Sequence, residues 1–572
     1  MDYAGSMHTT RALCLSLFPL AVSGCPNPNN TADASVPADL AMPADLATSA
    51  DLAHSSAQIA ACEQTLLSTW SAHPPALGLG TASSVSSYDA IVRKILSDFG
   101  VPGGGVALVS DGKLVLARSY GFADKDAPQP TNPDDRFRIA SLSKQITSAM
   151  ILKLVEAGSL SLDDSPFSIL SNIQPLPGKT MNPKLSQITI RNLLQHTGGW
   201  NRGQTFDPMF ISPTVAAALN EAGPASCADV IRYMLDKPLQ YDPGTTYCYS
   251  NFGYCVLGRV IEQKTGMSYA DAVNATVLSP LGASRIVLGK TLLQDRQPNE
   301  VLYYEDPSVG LATSVFPSMP GQVPWPYGGW AIEAMDSHGG WIASPIDFLR
   351  FQVGVDDRAP PADILSQQSF TDLMTDPHVP SCNNDGTTTP DNPNYWYGFG
   401  WQFNSAGNWW HTGSLDGTTT EQVRAKGHYG WAIFLNYRPA DSTNLTTRVD
   451  NDLWTALQNA GALLNDDLFD QWSSFDVWRD PQTFAAQVKA QGTSGLYPSR
   501  IEGQLLNGAT QYHAEMVPLH KSAQEAHGWG MDCLDYTAQD AQYTGQGYSP
   551  ISLQWFRDSA GVRRFQAVWE KL

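Results

Sequence analysis

Between Tyr88 and Phe99 apolar residues recur at helical spacing: Tyr88, Ile91, Val92, Ile95 and Leu96 share one face, and Gly100 and Pro102 close the run. Gly105 to Val109 and Lys113 to Tyr120 then flank Asp111-Gly112, the pattern of a β-hairpin. A long middle section alternates short helical runs with loops. Near the far end Trp401 to Trp410, Gln422 to Lys426 and Trp431 to Tyr437 read as strands, and Asn451 to Leu468 as a last helix. A helix and hairpin at one end with strands and a helix at the other predict a single sheet built from both ends. The fold class is α/β (α+β): an antiparallel sheet flanked by helices, with a helical insertion, over residues 85–470.

The rest of the chain divides differently. Gly495-Leu496-Tyr497-Pro498 returns as Gly547-Tyr548-Ser549-Pro550, and Phe484-Ala485-Ala486-Gln487 as Tyr536-Thr537-Ala538-Gln539, both 52 residues on. Such a period marks a repeated unit, here a small C-terminal α/β repeat module over 480–572. Two units are few for an independent solenoid, so the module is expected to pack on itself or on the main body. At the other end His8 and Arg11 precede an apolar run from Ala12 to Val22, and Ser23-Gly24 leads into Cys25. That is an export signal, 1–25, too short to span a membrane. Val22-Ser23-Gly24-Cys25 resembles a bacterial lipobox, which implies acylation of Cys25 and a protein tethered to the membrane, facing the periplasm or the cell surface. Residues 26–84 read as a low-complexity tether, with an Ala-Asp-Leu echo at 38, 44 and 50, followed by an N-terminal extension.

Composition narrows the function. Hydrophobic residues make up 42% of 572, enough for a sizeable core, and a formal charge of −20 disfavours nucleic acid as a partner. Export makes disulfides plausible among Cys62, Cys227, Cys248, Cys255, Cys382 and Cys533. We expect Cys227–Cys255, a bridge between two helices that braces the segment carrying Tyr249; Cys248, seven residues from Cys255, is the rival partner. The histidines show neither H-x-x-H nor H-E-x-x-H spacing, so no catalytic metal and no cofactor are expected.

Three short motifs carry the chemistry. Ser141-Leu142-Ser143-Lys144 fits S-x-x-K and opens a helix with apolar Ile146, Met150, Leu152, Leu154 and Val155. At i and i+3 the hydroxyl and the amine share a face, at the helix end where N–H groups can hold an oxyanion. The same pattern at Ser110 to Lys113 is only the hairpin turn. Tyr249-Ser250-Asn251 precedes a helix from Phe252 to Lys264 and offers a tyrosine as general base. Of three [KH]-T-G triplets, Lys264-Thr265-Gly266 is a helix cap, His196-Thr197-Gly198 lies in a loop, and His411-Thr412-Gly413 follows a predicted strand, with the N–H of Ser414 placed to face an oxyanion. Trp325, Trp330, Trp341, Trp401, Trp409 and Trp410 lie near these motifs and are expected chiefly in the core.

With Phe137-Arg138-Ile139-Ala140-Ser141, Leu193 to Gly199, Tyr249 to Tyr254, Gly339-Gly340-Trp341-Ile342-Ala343-Ser344 and His411-Thr412-Gly413 in this order, the chain resembles the serine β-lactamase-like superfamily, on its class C β-lactamase, D,D-carboxypeptidase and esterase side. The C-terminal repeats resemble those of polyglycine hydrolases, where the modules are N-terminal and more numerous. The resemblance implies a β-lactamase/transpeptidase-like sheet and a secreted serine hydrolase acting through an acyl-enzyme on peptide, amide or ester substrates, among them cell-wall peptides. It implies that Ser141 attacks, that Lys144 takes or relays its proton and lowers the pKa of Tyr249, and that Tyr249 acts as base. It further implies that Asn251 holds a substrate amide, and that Thr412, Gly413 and the N–H groups of Ser141 and Ser414 align the carbonyl. Class C β-lactamases carry Lys where this chain has His411, so a chargeable His411 beside the substrate is the expectation, and efficient β-lactam turnover is not. The competing reading is a non-catalytic or slowly deacylating binder of penicillin or cell-wall peptide.

Overall fold

The computed structural model describes residues 54–472, 477–519 and 523–572. The expected signal, the lipobox Cys25 and most of the tether lie outside the described residues. The main sheet holds β1 (Ala76–Leu79), β2 (Gly103–Ser110), β3 (Lys113–Asp124), β4 (Tyr395–Tyr397), β5 (Gln402–Asn404), β6 (Trp409–Leu415), β7 (Thr418–Arg424) and β8 (Tyr429–Leu435). Their spatial order is β1-β3-β2-β8-β7-β6-β5-β4, antiparallel throughout, with β2 and β8 joining the two ends of the chain. The sheet is therefore built from both termini around a helical middle.

Period-two alternation sorts the side chains between two layers. Val106 and Leu108 of β2 and Trp431, Ile433 and Leu435 of β8 pack beneath the helices Ala82–Phe99 and Ser442–Asn459. Ala107 and Val109, with Ala432 and Phe434, face the larger core that holds the helices Ser143–Glu156 and Asn251–Thr265. The hairpin between β2 and β3 turns at Asp111 (φ 49°) and Gly112 (φ 76°), and Gly266 (φ 69°) caps the helix Asn251–Thr265.

Several boundaries differ from the sequence reading. The last helix of the main body is Ser442–Asn459, not 451–468. Its stripe is Leu445, Val449, Leu453 and Ala456, begun by an Asp441 cap and hidden in the sequence by poor helix formers such as Thr443, Thr446 and Thr447. The run 401–410 is two strands around a turn, so His411-Thr412-Gly413 lies within β6 rather than after it. The strand expected at 422–426 begins at Thr418.

A helix Ser56–Ala72 lies within the segment read as tether and extension. It packs Trp70, Leu66 and Leu67 on the C-terminal module, where Cys62 is bonded to Cys533 and Arg563 pairs with Glu63 at 2.6 Å. The module contains two helix-then-hairpin units: Pro481–Gly492 with Leu496–Leu506 and Ala509–Pro518, then Cys533–Gly545 with Ser549–Arg557 and Arg563–Lys571. A further strand, Gln524–Met531, pairs with Arg563–Lys571. The module rests on the loop leading to the nucleophile motif. Arg500 bonds Asp134 and, at 2.8 Å, Asp135; Arg285 bonds Asp134 at 2.8 Å and Glu515 at 2.9 Å; Asn132 exchanges two hydrogen bonds with the Leu553 backbone. These charges are nearly all buried, which ion pairs tolerate only when both partners are held.

Candidate active site

The segment Phe137–Arg138 pairs with Trp341–Ala343, and the Ile139 N–H donates to the Trp341 carbonyl at 3.0 Å. The Gly339-Gly340-Trp341 motif thus clamps the strand that leads to Ser141. Ala140 then turns with φ 49°, a conformation rare for a residue with a Cβ, and Ser141 follows in a 3₁₀ turn, Ala140–Leu142, that runs straight into the helix Ser143–Glu156. At this turn Ser141 is half-buried while its neighbours on both sides are buried.

Lys144 stands one turn on and is fully buried. Its Nζ lies 3.2 Å from Ser141 Oγ, 2.9 Å from Asn251 Oδ1 and 2.8 Å from the His338 carbonyl oxygen. Two of these three neighbours can only accept; the third is a hydroxyl that can donate. Burial, and then the nearby Arg202, hold the Lys144 amine well below the usual lysine range, against an opposing pull from Asp207. A neutral amine fits this geometry: two N–H bonds go to the carbonyls, and the lone pair faces Ser141.

Tyr249 completes the group. Lys144 Nζ lies 4.8 Å and Arg202 Cζ 5.0 Å from the centre of its ring. Its hydroxyl is buried without a well-formed hydrogen bond, and Ser141 is the side chain that draws on it. Burial nevertheless pushes the phenol above its ordinary range, outweighing Ser141 and Arg202. This differs from the expectation of a tyrosine whose pKa is lowered: in the resting site Tyr249 is a phenol. Its loop is held from several sides. Nδ1 of the neutral, buried His196 accepts from the Ser250 N–H at 3.1 Å, and the His196 carbonyl accepts from the Cys248 N–H at 2.8 Å. Cys248 is bonded to Cys382, and Cys227 to Cys255 in the helix that follows. The rival pairing of Cys248 with Cys255 is not the one present.

Asn251 uses both ends of its amide: Oδ1 accepts from Lys144 and Nδ2 donates to Asp207 Oδ2 at 2.7 Å. Asp207 in turn holds Arg202 Nη1 at 3.3 Å. Neither Arg202 nor Asp207 was singled out from the sequence. They sit in the loop after Gly199, at no spacing that marks them, and the fold alone brings them to the site.

Strand β6 closes the other side. Gly413 passes so near the nucleophile turn that a Cβ there would stand 2.4 Å from the Ile139 carbonyl oxygen and 3.1 Å from Ala140 Cβ. Pairing with β5 reaches only to Trp410, while Thr412, Gly413 and Ser414 continue to pair with Glu421, Thr420 and Thr419 of β7. His411 departs from expectation. It is 2% exposed, its Nδ1 donates to the Thr412 carbonyl at 2.6 Å, and its Nε2 accepts from the Tyr397 hydroxyl at 3.1 Å. Burial, with Lys144 adding to it, pushes its pKa down to about 3. His411 is a neutral residue beneath the site, not a cation in the cleft. Trp330, Trp341, Trp401 and Trp409 are buried packing residues, and Trp330 Nε1 donates to Asp416 at 2.8 Å.

Residues 88–452 match the Beta-lactamase family. The chain belongs to that family. Residues 523–572 match a second description, "Polyglycine hydrolase-like, structural repeat". Among curated proteins, the chain is similar to Esterase EstB of Burkholderia gladioli, 31% identical over 36% of this chain and 53% of that protein. It is also similar to Protein flp of Staphylococcus aureus (strain COL), 30% identical over 35% of this chain and 38% of that protein. The chain spans about half, or less, of the length of these relatives. The D-amino acid amidase of Ochrobactrum anthropi SV3, solved with L-phenylalanine amide, shares the fold with a TM-score of 0.51 at 21% identity, covering 67% of this chain and 100% of that one. A β-lactamase/transpeptidase-type sheet with flanking helices is therefore the fold of the main body, and the small strand-rich module is an appendage to it.

Proposed function

We propose that this Beta-lactamase-family protein is a serine hydrolase that transfers the acyl group of an amide, peptide or ester to Ser141 and then to water. The observation that carries the reading is the contact of 3.2 Å between Lys144 Nζ and Ser141 Oγ, with two carbonyl oxygens taking the two hydrogens of the neutral amine. Ser141 Oγ attacks the carbonyl carbon as its proton passes to the Lys144 lone pair. The oxyanion is held by N–H groups at the helix start and on β6, those of Ser141 and Ser414. As the tetrahedral species collapses, Tyr249 gives its phenolic proton to the leaving amine or alkoxide and recovers one from Lys144. Water then attacks the ester of Ser141 along the reverse proton path and releases the acid. Tyr249 serves as donor first and as base only after the leaving group has gone.

Esterase and D,D-carboxypeptidase activities both fit this machinery. The match of the C-terminal repeats favours a second substrate within the same chemistry, glycine-rich peptide. Cys62–Cys533, Cys227–Cys255 and Cys248–Cys382 support an exported protein, in keeping with the lipobox reading of Cys25. A fluorophosphonate probe followed by peptide mapping, with turnover of short-chain esters, D-Ala-D-Ala peptides, cephalosporins and glycine-rich peptides, tests the proposal. Labelling of Ser141 with steady turnover of at least one substrate is expected. No labelling of Ser141 refutes it, and one burst without turnover supports a sensor instead.

A further inference from the structure

The pocket beside the nucleophile has a charge that the reaction does not require. It encloses about 150 Å³, shares Asn251 with the catalytic group, and runs from there between Trp200, Phe206 and Met234. Arg202 and Lys237 also line it, with one carboxylate, Asp207, which already accepts from Asn251 Nδ2 at 2.7 Å and from Arg202. The mostly apolar walls thus carry two cations against one anion, in a chain of net charge −20. We propose that Arg202 is the specificity-determining residue of this hydrolase, receiving a carboxylate of the substrate in this pocket.

The guanidinium is built for that use. Its Nη1 bond to Asp207 is long, 3.3 Å, and its other N–H groups have no protein acceptor among the described residues. The side chain is 34% exposed, so those donors open on the pocket. The guanidinium carbon sits 5.0 Å from the centre of the Tyr249 ring, a contact that spares part of the entropy of ordering a long side chain on binding. A planar fork held this way accepts a carboxylate through two parallel bonds, which a lysine cannot copy. His411 across the site is neutral and buried, so it offers a substrate carboxylate no charge. Lys237, the other cation of the lining, is paired with Asp236 at 2.8 Å, which leaves the exposed guanidinium of Arg202 as the better placed of the two to take a ligand. The field of Arg202 reaches Lys144, Tyr249, His196 and His338, so an anion bound to it lies within electrostatic range of the reacting atoms.

This inference rests on the hydrolase reading and is tested apart from it with three matched esters. They are phenyl hexanoate, the phenyl hemi-ester of adipic acid, with its carboxylate on the acyl half, and 3-(hexanoyloxy)benzoate, with its carboxylate on the leaving group. Turnover of phenyl hexanoate by the wild-type protein tests the hydrolase reading alone. The wild type is expected to prefer one acidic ester over the neutral one, and which one it prefers places the carboxylate on the acyl or leaving side. In Arg202→Gln that preference, as a ratio of kcat/KM, is expected to fall about 10- to 100-fold. Arg202→Lys should keep part of it. Active sites are counted with the fluorophosphonate probe, so loss of folded protein does not enter the ratio. Two outcomes overturn the proposal: a wild type indifferent to the carboxylates, or an Arg202→Gln variant in which all three esters fall in the same proportion. The second would mean that Arg202 acts only through the Tyr249 ring.

Discussion

Gly413 and Ile139 approach so closely that a single methyl group could not lie between them: a Cβ on Gly413 would be 2.4 Å from the Ile139 carbonyl oxygen and 2.2 Å from Thr420 Oγ1. That oxygen already accepts from Thr420 Oγ1 at 3.1 Å, so strand β6, strand β7 and the nucleophile turn form one tight junction. Gly413→Ala must push β6 away from Ser141 or flatten the turn at Ala140. A displacement of about 1 Å at a reacting centre costs on the order of 10²-fold in rate. We expect that loss in kcat/KM for a neutral ester, together with a lower thermal midpoint, since overpacking of a tight junction costs about 1–3 kcal/mol. Unaltered kinetics would show that β6 does not position the carbonyl.

Lys144 should control the acid limb of the pH profile. Its reactive form is the neutral amine, and burial holds its conjugate acid well below the ordinary lysine range. Acylation should therefore rise with pH through that lowered pKa and level off far below pH 10. Asp207 opposes the shift, so Asp207→Asn should lower the Lys144 pKa further and move the limb to lower pH. Pre-steady-state acylation against pH reads both values. A limb in Asp207→Asn at higher pH than in the wild type would contradict the assignment.

The clustering of Ser141, Lys144, Tyr249 and Asn251 was legible because its spacing is local. Ser141 and Lys144 share a helix face by arithmetic, and Tyr249 and Asn251 bracket a cap, Ser250, whose hydroxyl accepts from the Gly253 N–H. The two-ended sheet was legible because β2 and β8 are long enough to carry their pattern. What escaped has no local signature. Arg202 and Asp207 meet Asn251 only once the loop after Gly199 has folded, and Cys248 meets Cys382 across 134 residues. A motif also says nothing of depth: His411 occupies the motif position, but the side chain falls on the inward face of β6 with Trp409 and Gly413.

The C-terminal module is expected to be an integral part of the fold. Arg500 is buried between Asp134 and Asp135, seven and six residues before the nucleophile. Arg500→Met leaves buried Asp135 and Glu502 without their cation, while Asp134 keeps Arg285. Removing one partner of a buried pair costs about 3–5 kcal/mol. Urea unfolding should show that loss, and truncation at residue 479 should give insoluble or inactive protein. A soluble, active fragment 54–479 would show that the contact is dispensable.

Cys248–Cys382 should matter more to activity than Cys62–Cys533. Cys248 adjoins Tyr249, whereas Cys62–Cys533 joins the N-terminal helix to the module, away from the site. The bridges close loops of 134 and 471 residues, worth ~5 and ~6 kcal/mol by loop entropy. The double variant Cys248→Ser/Cys382→Ser is expected to lower kcat for a neutral ester by more than its counterpart Cys62→Ser/Cys533→Ser. Non-reduced peptide mapping confirms the pairings first. Equal kinetic effects would mean that His196 and the backbone hold Tyr249 without the bridge.

His411→Lys would be expected from the motif alone to create a grip for penicillin carboxylates. The structure argues the opposite. His411 is 2% exposed, satisfied on both nitrogens by Thr412 and Tyr397, and close enough to Lys144 for that amine to depress its pKa. A lysine there must bury an ammonium near Lys144 without a counter-ion, or stay neutral on a flexible chain that does not fix an acceptor where His411 Nε2 stood, leaving the Tyr397 hydroxyl unpaired. Either course destabilises, by about 1–3 kcal/mol for the orphaned hydroxyl and more for the charge. We expect His411→Lys to lower the unfolding midpoint and to show no gain in acylation by benzylpenicillin relative to a neutral ester. His411→Ala should depress neutral and carboxylate-bearing substrates in parallel, because it loosens β6 rather than removing a ligand. A selective rise in penicillin acylation by His411→Lys, with stability intact, would show that this side chain reaches the cleft after all.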